Sequence, residues 1–196
     1  MGNRCCITTD KDLNPKSVGI YLHWNGGRDS VEAFLWYCKL NDYCSPEIDG
    51  YGWASLVRII ANYIDSRGLS IGINTLDHLD IESDNGTYII KNWEIIDHLN
   101  VWEMRQNNGK VIRFNPCDEQ REYDLYEMVK VIHDAQPKSV QDNAIKVIKA
   151  RLEGWEKALR TDKFSPLESP ENGVKEQWEK FLEVLTKTYE ESKAFK

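Results

Sequence analysis

Apolar positions along this chain follow two periods. Up to about residue 115 they fall in short runs rich in β-branched and aromatic residues, bounded by Asn, Asp, Gly and Pro. From residue 124 onward they recur at helical spacing. Alternation closed by turn chemistry reads as strand, and a 3.6-residue recurrence as amphipathic helix. Residues 4–9 and 18–24 are thus predicted strands, separated by a loop that Asn14-Pro15 closes. Asn25-Gly26-Gly27 breaks the second strand. A helix follows, with Asp29 as its cap, Glu32 at the capping-box position, and Val31, Phe34, Leu35 and Cys38 as its apolar stripe. A polar loop over 41–52 leads to a helix with Trp53, Leu56, Val57, Ile60 and Ile64 on one face, ended by Arg67-Gly68. Residues 69–75 return to strand character.

Two Asn-Gly turns come next. Asp84-Asn85-Gly86 separates 78–83 from 87–96, and Asn107-Asn108-Gly109 separates 99–105 from 110–115. Such turns supply the positive φ that hairpins need, so both are predicted hairpins of an antiparallel meander. Asp124 with Glu127 caps the next helix, whose face is Met128, Val131, Ile132 and Ala135, and Pro137 ends it. A long helix carries Val140, Ala144, Val147, Ile148, Leu152, Trp155 and Leu159. After a Pro/Ser loop, Ser169-Pro170 opens a last helix with Val174, Trp178, Phe181, Leu182, Leu185 and Tyr189. The expected fold is α+β: an antiparallel sheet with packed helices over 1–136, then an antiparallel pair of long helices over 137–196.

Composition changes this picture little. Apolar residues make up 41% and aromatics 11%, with seven tryptophans, which excludes a disordered chain. There is no apolar run of spanning length, and the first residues lack a signal-peptide core, so a cytoplasmic protein is expected. The five cysteines form neither a disulfide framework nor a Cys-x-x-Cys zinc pattern and read as free thiols.

Charge is more informative. The net charge is −7, yet residues 138–196 hold 12 basic and 11 acidic residues, so the excess of carboxylates belongs to residues 1–137. A negative field there weighs against direct nucleic-acid binding and suits a basic protein partner. Asp77, Asp80, Glu82, Asp84, Glu94 and Asp97 are the candidate partner-binding carboxylates, with Tyr51 and Trp53 beside them as aromatic contacts. Tyr43 and Trp24 join those two as a candidate stacking platform. The acidic run is not an EF-hand: counted from Asp80, the sixth position is Asn85 and the twelfth Lys91. No metal and no cofactor is implied.

The sharpest local motif is Asn25-Gly26-Gly27-Arg28-Asp29-Ser30 between a strand and a helix. Bare glycine amides at a helix start can cradle an anion. The stretch resembles the Ser-Gly-Gly-x-Asp-Ser loop of PP-loop ATP pyrophosphatases, differing in its leading residue. That resemblance implies a grip on pyrophosphate by Asn25, Gly26, Gly27, Arg28, Asp29 and Ser30. The other reading is a tight strand-to-helix turn. His23 and Trp24 precede the loop, and alternation would bury one and expose the other. An exposed His23 could serve as a general base for a substrate on the glycines. Cys38 and Cys117 are the remaining candidate nucleophiles.

A wider likeness extends over residues 2–136. Gly2-Asn3-Arg4, the run from Val18 to Val31 (VGIYLHWNGGRDSV), Asp49-Gly50-Tyr51-Gly52-Trp53 and Asn85-Gly86-Thr87-Tyr88-Ile89-Ile90 resemble a set of small proteins from gut bacteria and their phages. The resemblance brings context and no catalytic residues. It implies a phage or mobile-element protein, inside the bacterial host cell, that occupies a host protein and inhibits a defence system as an anti-CRISPR does. The alternative from the loop is a nucleotide-binding or nucleotide-sequestering protein. Binding is favoured over catalysis.

Overall fold

The computed structural model describes residues 3–64, 71–115, 123–160 and 173–187, without the side chains of 158–160. Strands β1 (Cys5–Thr8), β2 (Val18–Leu22), β3 (Ile71–Thr75), β4 (Thr87–Lys91) and β5 (Glu94–Leu99) form one sheet in the order β3-β2-β1-β4-β5. Neighbours are antiparallel except β1 and β4, which run parallel, Ile7 opposite Tyr88. The fold is α+β as expected, but the sheet is mixed and not a meander. The helices are α1 (Arg28–Leu40), α2 (Gly50–Ile64), α3 (Val101–Gln106), α4 (Leu125–Asp134), α5 (Lys138–Arg160) and α6 (Val174–Thr186).

Side-chain alternation assigns the faces of the sheet. Cys5, Ile7, Ile20, Leu22, Tyr88 and Ile90 point into the main core, where Val31, Phe34, Leu35 and Cys38 of α1 meet them. Val140, Ala144, Ile148 and Leu152 of α5 and Trp178, Phe181 and Leu185 of α6 belong to that same core. Trp155 and Trp178 meet edge to face with ring centroids 5.8 Å apart. The opposite face carries a thinner layer: Ile89, Leu99 and Val101, with Leu13, Ile81 and Met104 packed on them.

Both expected hairpins are absent, for different reasons. Residues 79–83 are irregular, following a 3-10 turn over Leu76–His78. The Asn85-Gly86 corner delivers the chain to β4 beside β1: the Asn85 amide donates to the Arg4 carbonyl, and the Cys6 amide to the Gly86 carbonyl, both at 2.9 Å. Residues 101–106 are the helix α3. Asn107-Asn108-Gly109 ends it, the Gly109 amide donating back to the Met104 carbonyl at 2.9 Å with φ +78° at the glycine. This is a glycine C-cap, which shares the positive-φ requirement of a hairpin turn. Beyond it the chain does return along β5, where Leu99 and Arg113 form an isolated antiparallel bridge.

The sheet's real two-residue hairpin lies between β4 and β5 at Asn92-Trp93, both with positive φ (52° and 62°). Left-handed backbone at tryptophan is costly. Here the buried indole packs in the core and donates to the Tyr43 carbonyl at 2.7 Å.

Helix ends and registers also differ in part. The α1 N-cap is Gly27 and not Asp29, and Glu32 accepts from the Arg28 Nε at 2.8 Å instead of closing a capping box. Asp124 does cap α4, accepting from the Tyr126 and Glu127 amides. The buried face of α4 is Met128, Val129, Ile132 and His133, followed by Gln136, while Val131 is exposed. Two polar residues in that face disguise it. Gln136 donates to the Ile59 and Ile132 carbonyls, and His133 Nδ1 lies 3.0 Å from the Tyr37 hydroxyl. The described part of the last helix starts at Val174 behind a left-handed Gly173. Ser169-Pro170, the Arg67-Gly68 stop and Tyr189 lie outside the described residues.

Burial between α1 and α4 lowers the His133 pKa from 6.5 to about 4. A neutral folded imidazole that is protonated more readily when unfolded makes folding weaker in acid. That stability is complete above about pH 6.5 and is lost as pH falls toward about 4, an effect of roughly 1–3 kcal/mol. Urea unfolding across pH 7.5 to 4 will show this loss, and His133→Gln, neutral throughout, will flatten it.

Candidate functional site

The Asn25–Ser30 loop is the first candidate. Asn25 takes a left-handed conformation (φ 59°), which turns Gly26 inward. The Gly26 amide donates to the Asn3 carbonyl at 2.8 Å, and its own carbonyl accepts from the Tyr88 hydroxyl at 3.1 Å. A Cβ on Gly26 would stand 2.7 Å from the Arg4 carbonyl carbon and the Cys5 nitrogen. The glycine is there so that two backbones can touch, and both Gly26 and Gly27 are buried. At the start of α1 the protein's own carboxylate takes the place an anion would have. Asp29 accepts from the Ser30 amide at 2.7 Å and from the Tyr123 amide at 3.0 Å, tying α1 to the approach to α4. Arg28 is engaged with Glu32. The geometry makes this loop a clamp on the first strand.

His23 and Trp24 lie beyond the end of β2, and both are exposed, which corrects the expectation that one of them is buried. His23 Nδ1 lies 3.1 Å from the Tyr21 hydroxyl, and its ring meets Trp24 edge-on at 5.3 Å. With the glycines buried, His23 has no substrate position to serve as a base. Cys38 is fully buried and its thiol is pushed up strongly by that burial, so it is no nucleophile. Cys117 lies outside the described residues. Tyr43 and Trp53 pack against the core, which removes them from a stacking platform, while Tyr51 stands 78% exposed on the first turn of α2.

The carboxylates divide into two groups. Glu94 pairs with Lys39 at 2.7 Å and Asp97 with Arg113 at 2.7 Å, on the edge strand β5. A small cavity of about 200 Å³ adjoins Asp97, Arg113, Phe114 and Arg28. Asp77, Asp80 and Glu82 instead line one larger cleft of about 470 Å³ on the thinner face of the sheet. Its apolar lining is Leu13, Pro15, Leu76, Leu79 and Ile81, and Arg105 completes it. The segment Leu76-Asp77-His78-Leu79-Asp80-Ile81-Glu82 alternates for a reason. Its leucines and isoleucine turn toward the sheet, with Leu76 and Leu79 over Gly19, while its carboxylates face outward.

Each carboxylate here already holds a cation. Lys16 pairs with Asp77 at 2.7 Å, and Arg105 pairs with Glu82. Arg4 grips Asp84 through two nitrogens at 2.8 and 3.0 Å and reaches Asp80 at 3.5 Å. Lys16, with Thr75 and His78, holds the Asp77 carboxyl well below the usual range, and Arg4 lowers that of Asp84. Arg4 also joins the cleft to the aromatic row, since Tyr21 feels Arg4, Asp80 and Asp84. Asp77, Asp80 and Glu82 therefore share the cleft, and Asp84 joins them through Arg4. Glu94, Asp97, Tyr51 and Trp53 lie on other elements.

Among the described residues no three His, Cys, Asp or Glu side chains stand close enough to hold a metal ion, and no buried side-chain polar atom lacks a partner. None of their helices is long and apolar enough to cross a membrane. Comparison with protein-family models, with curated proteins and with solved structures finds no match. The residues that sequence reading passed over are Arg4, Lys16 and Arg105, whose carboxylate partners lie 61 to 80 residues away for Lys16 and Arg4. The interleaved apolar and acidic residues from Leu76 to Glu82 were the available signal for the cleft.

The clamp predicts a clear order among glycine substitutions. Gly26→Ala meets backbone and will cost about 2 kcal/mol or more. Gly154→Ala, in open space on α5, will be neutral or stabilise by up to about 1 kcal/mol. Thermal unfolding of the two variants measures both.

Proposed function

We propose that this chain acts by binding, with the acidic cleft over Leu76–Glu82 receiving a basic segment of a protein partner. The observation that carries this reading is the cleft itself: about 470 Å³, lined by Leu13, Pro15, Leu76, Leu79 and Ile81 together with Asp77, Asp80, Glu82 and Arg105. Such a surface offers both area to bury and charge to steer. The Thr75 hydroxyl and the His78 ring beside the cleft are both bound to Asp77. Lys16 holds the Asp77 carboxyl in its ionised form, so it is not poised to donate a proton.

The likeness to small proteins of gut bacteria and their phages narrows the proposal. The partner would be a nucleic-acid-handling enzyme of a host defence system, met in the bacterial cytoplasm and inhibited as an anti-CRISPR inhibits its target. Enzymes of that kind present basic grooves to phosphate. The nucleotide reading of the Asn25–Ser30 loop is not carried forward, because both glycines are buried and the Gly26 and Ser30 amides are engaged within the fold.

The test is capture from host lysate with the wild-type chain and with Asp80→Lys/Glu82→Lys. A partner recovered at low salt should be lost from the variant and released by roughly 0.5 M salt, where screening is nearly complete over a few ångströms. Equal recovery by both proteins would sink the cleft as the binding surface.

A further inference from the structure

We infer that the cleft is made for arginine- or lysine-bearing segments, and that Lys16 and Arg105 are placeholder cations which such a segment displaces. This rests on the binding role just proposed for the cleft. The three cations at the site are not equivalent. Arg4 is anchored: its guanidinium is bidentate on Asp84, its side chain is only 34% exposed, and its carbonyl is held by the Asn85 amide. Lys16 and Arg105 have exposures of 77% and 66%, and each has one carboxylate partner at the cleft. Exposed pairs of this kind are weak and exchange readily.

Their placement fits substitution by an incoming cation. Lys16 reaches Asp77 from the residue after Pro15, on one side of the cleft, and Arg105 reaches Glu82 from α3. The apolar lining between them, Leu76, Leu79 and Ile81, suits the methylene stem of a long basic side chain whose head lies on a carboxylate. An arriving arginine would gain a bidentate carboxylate contact that the single Lys16 ammonium does not make. The two resident cations thus lower the affinity for basic partners, and restrict occupancy to segments that supply at least two well-spaced charges.

A fluorescein-labelled nona-arginine peptide, followed by anisotropy at low salt, is the probe. Lys16→Ser/Arg105→Ser should bind it about three- to tenfold more tightly than wild type, and Asp80→Asn/Glu82→Gln more weakly. Lys138→Ser/Lys180→Ser makes the same change in net charge away from the cleft, freeing the Asp142 carboxylate while Glu183 keeps its pair with Lys187. It should bind as wild type does. Unchanged affinity in the Lys16/Arg105 variant, with weakening in the Asp80/Glu82 variant, overturns the placeholder role and leaves the cleft reading standing. Equal tightening in the Lys138/Lys180 control also overturns it, as an effect of overall charge. Peptide binding that is absent, or indifferent to Asp80 and Glu82, removes the cleft reading and this inference together.

Discussion

The architecture depends on how Asn3 and Arg4 are held at the mouth of the first strand. Gly26 donates to one of their carbonyls and the Asn85 amide to the other, while the Asn85 side chain reaches both Asn3 Oδ1 and the Arg4 carbonyl. Behind this grip His98 lies between Tyr88 and Phe114, with ring centroids 3.9 and 4.3 Å away, and its Nε2 contacts the Asn85 carbonyl at 2.6 Å. Tyr88 in turn binds the Gly26 carbonyl. Two glycine corners and an aromatic stack therefore fix one central strand between an antiparallel and a parallel neighbour. The orientation of Arg4 follows from that grip, and with it the carboxylates of Asp80 and Asp84.

The same arrangement shows what a glycine-rich loop with the spacing of an anion cradle does inside this fold. Glycine serves any close backbone approach, whether the visitor is a phosphate or another strand. The difference lies in what occupies the space, and here it is Asn3 to Cys5. Asp29 then supplies negative charge to the helix start from within the fold, accepting from the Ser30 amide and complementing the helix dipole.

Much of the fold was legible in the chain because burial and periodicity coincide. The stripes of α1, α5 and α6 and the cap at Asp124 follow directly from spacing. What was not legible depended on partners distant in sequence. Asn85-Gly86 and Asn108-Gly109 announce positive φ, but only the paired strand or the preceding helix decides whether a hairpin, a crossover corner or a C-cap results. Asn92-Trp93 carries no glycine at all; its turn is stabilised by the contact of the Trp93 indole with Tyr43. In α4, His133 and Gln136 look solvent-facing until Tyr37 and the Ile59 carbonyl are seen to receive them. The candidate site divided in the same way. The carboxylates stood out as types, whereas their ion partners, and the separation of Glu94 and Asp97 from the cleft, required the fold.

Parallel pairing of β1 with β4 has a consequence for how the molecule is made. The first strand is made before its second neighbour, which, with the corner that grips Arg4, follows some eighty residues later. Until then β2 and α1 cover Cys5 and Ile7, while the edge of β1 that will take β4 stays open. Contacts of such long sequence separation close slowly. The central strand thus keeps one open edge until β4 arrives, and the irregular acidic segment just before β4 brings charge that resists self-association there.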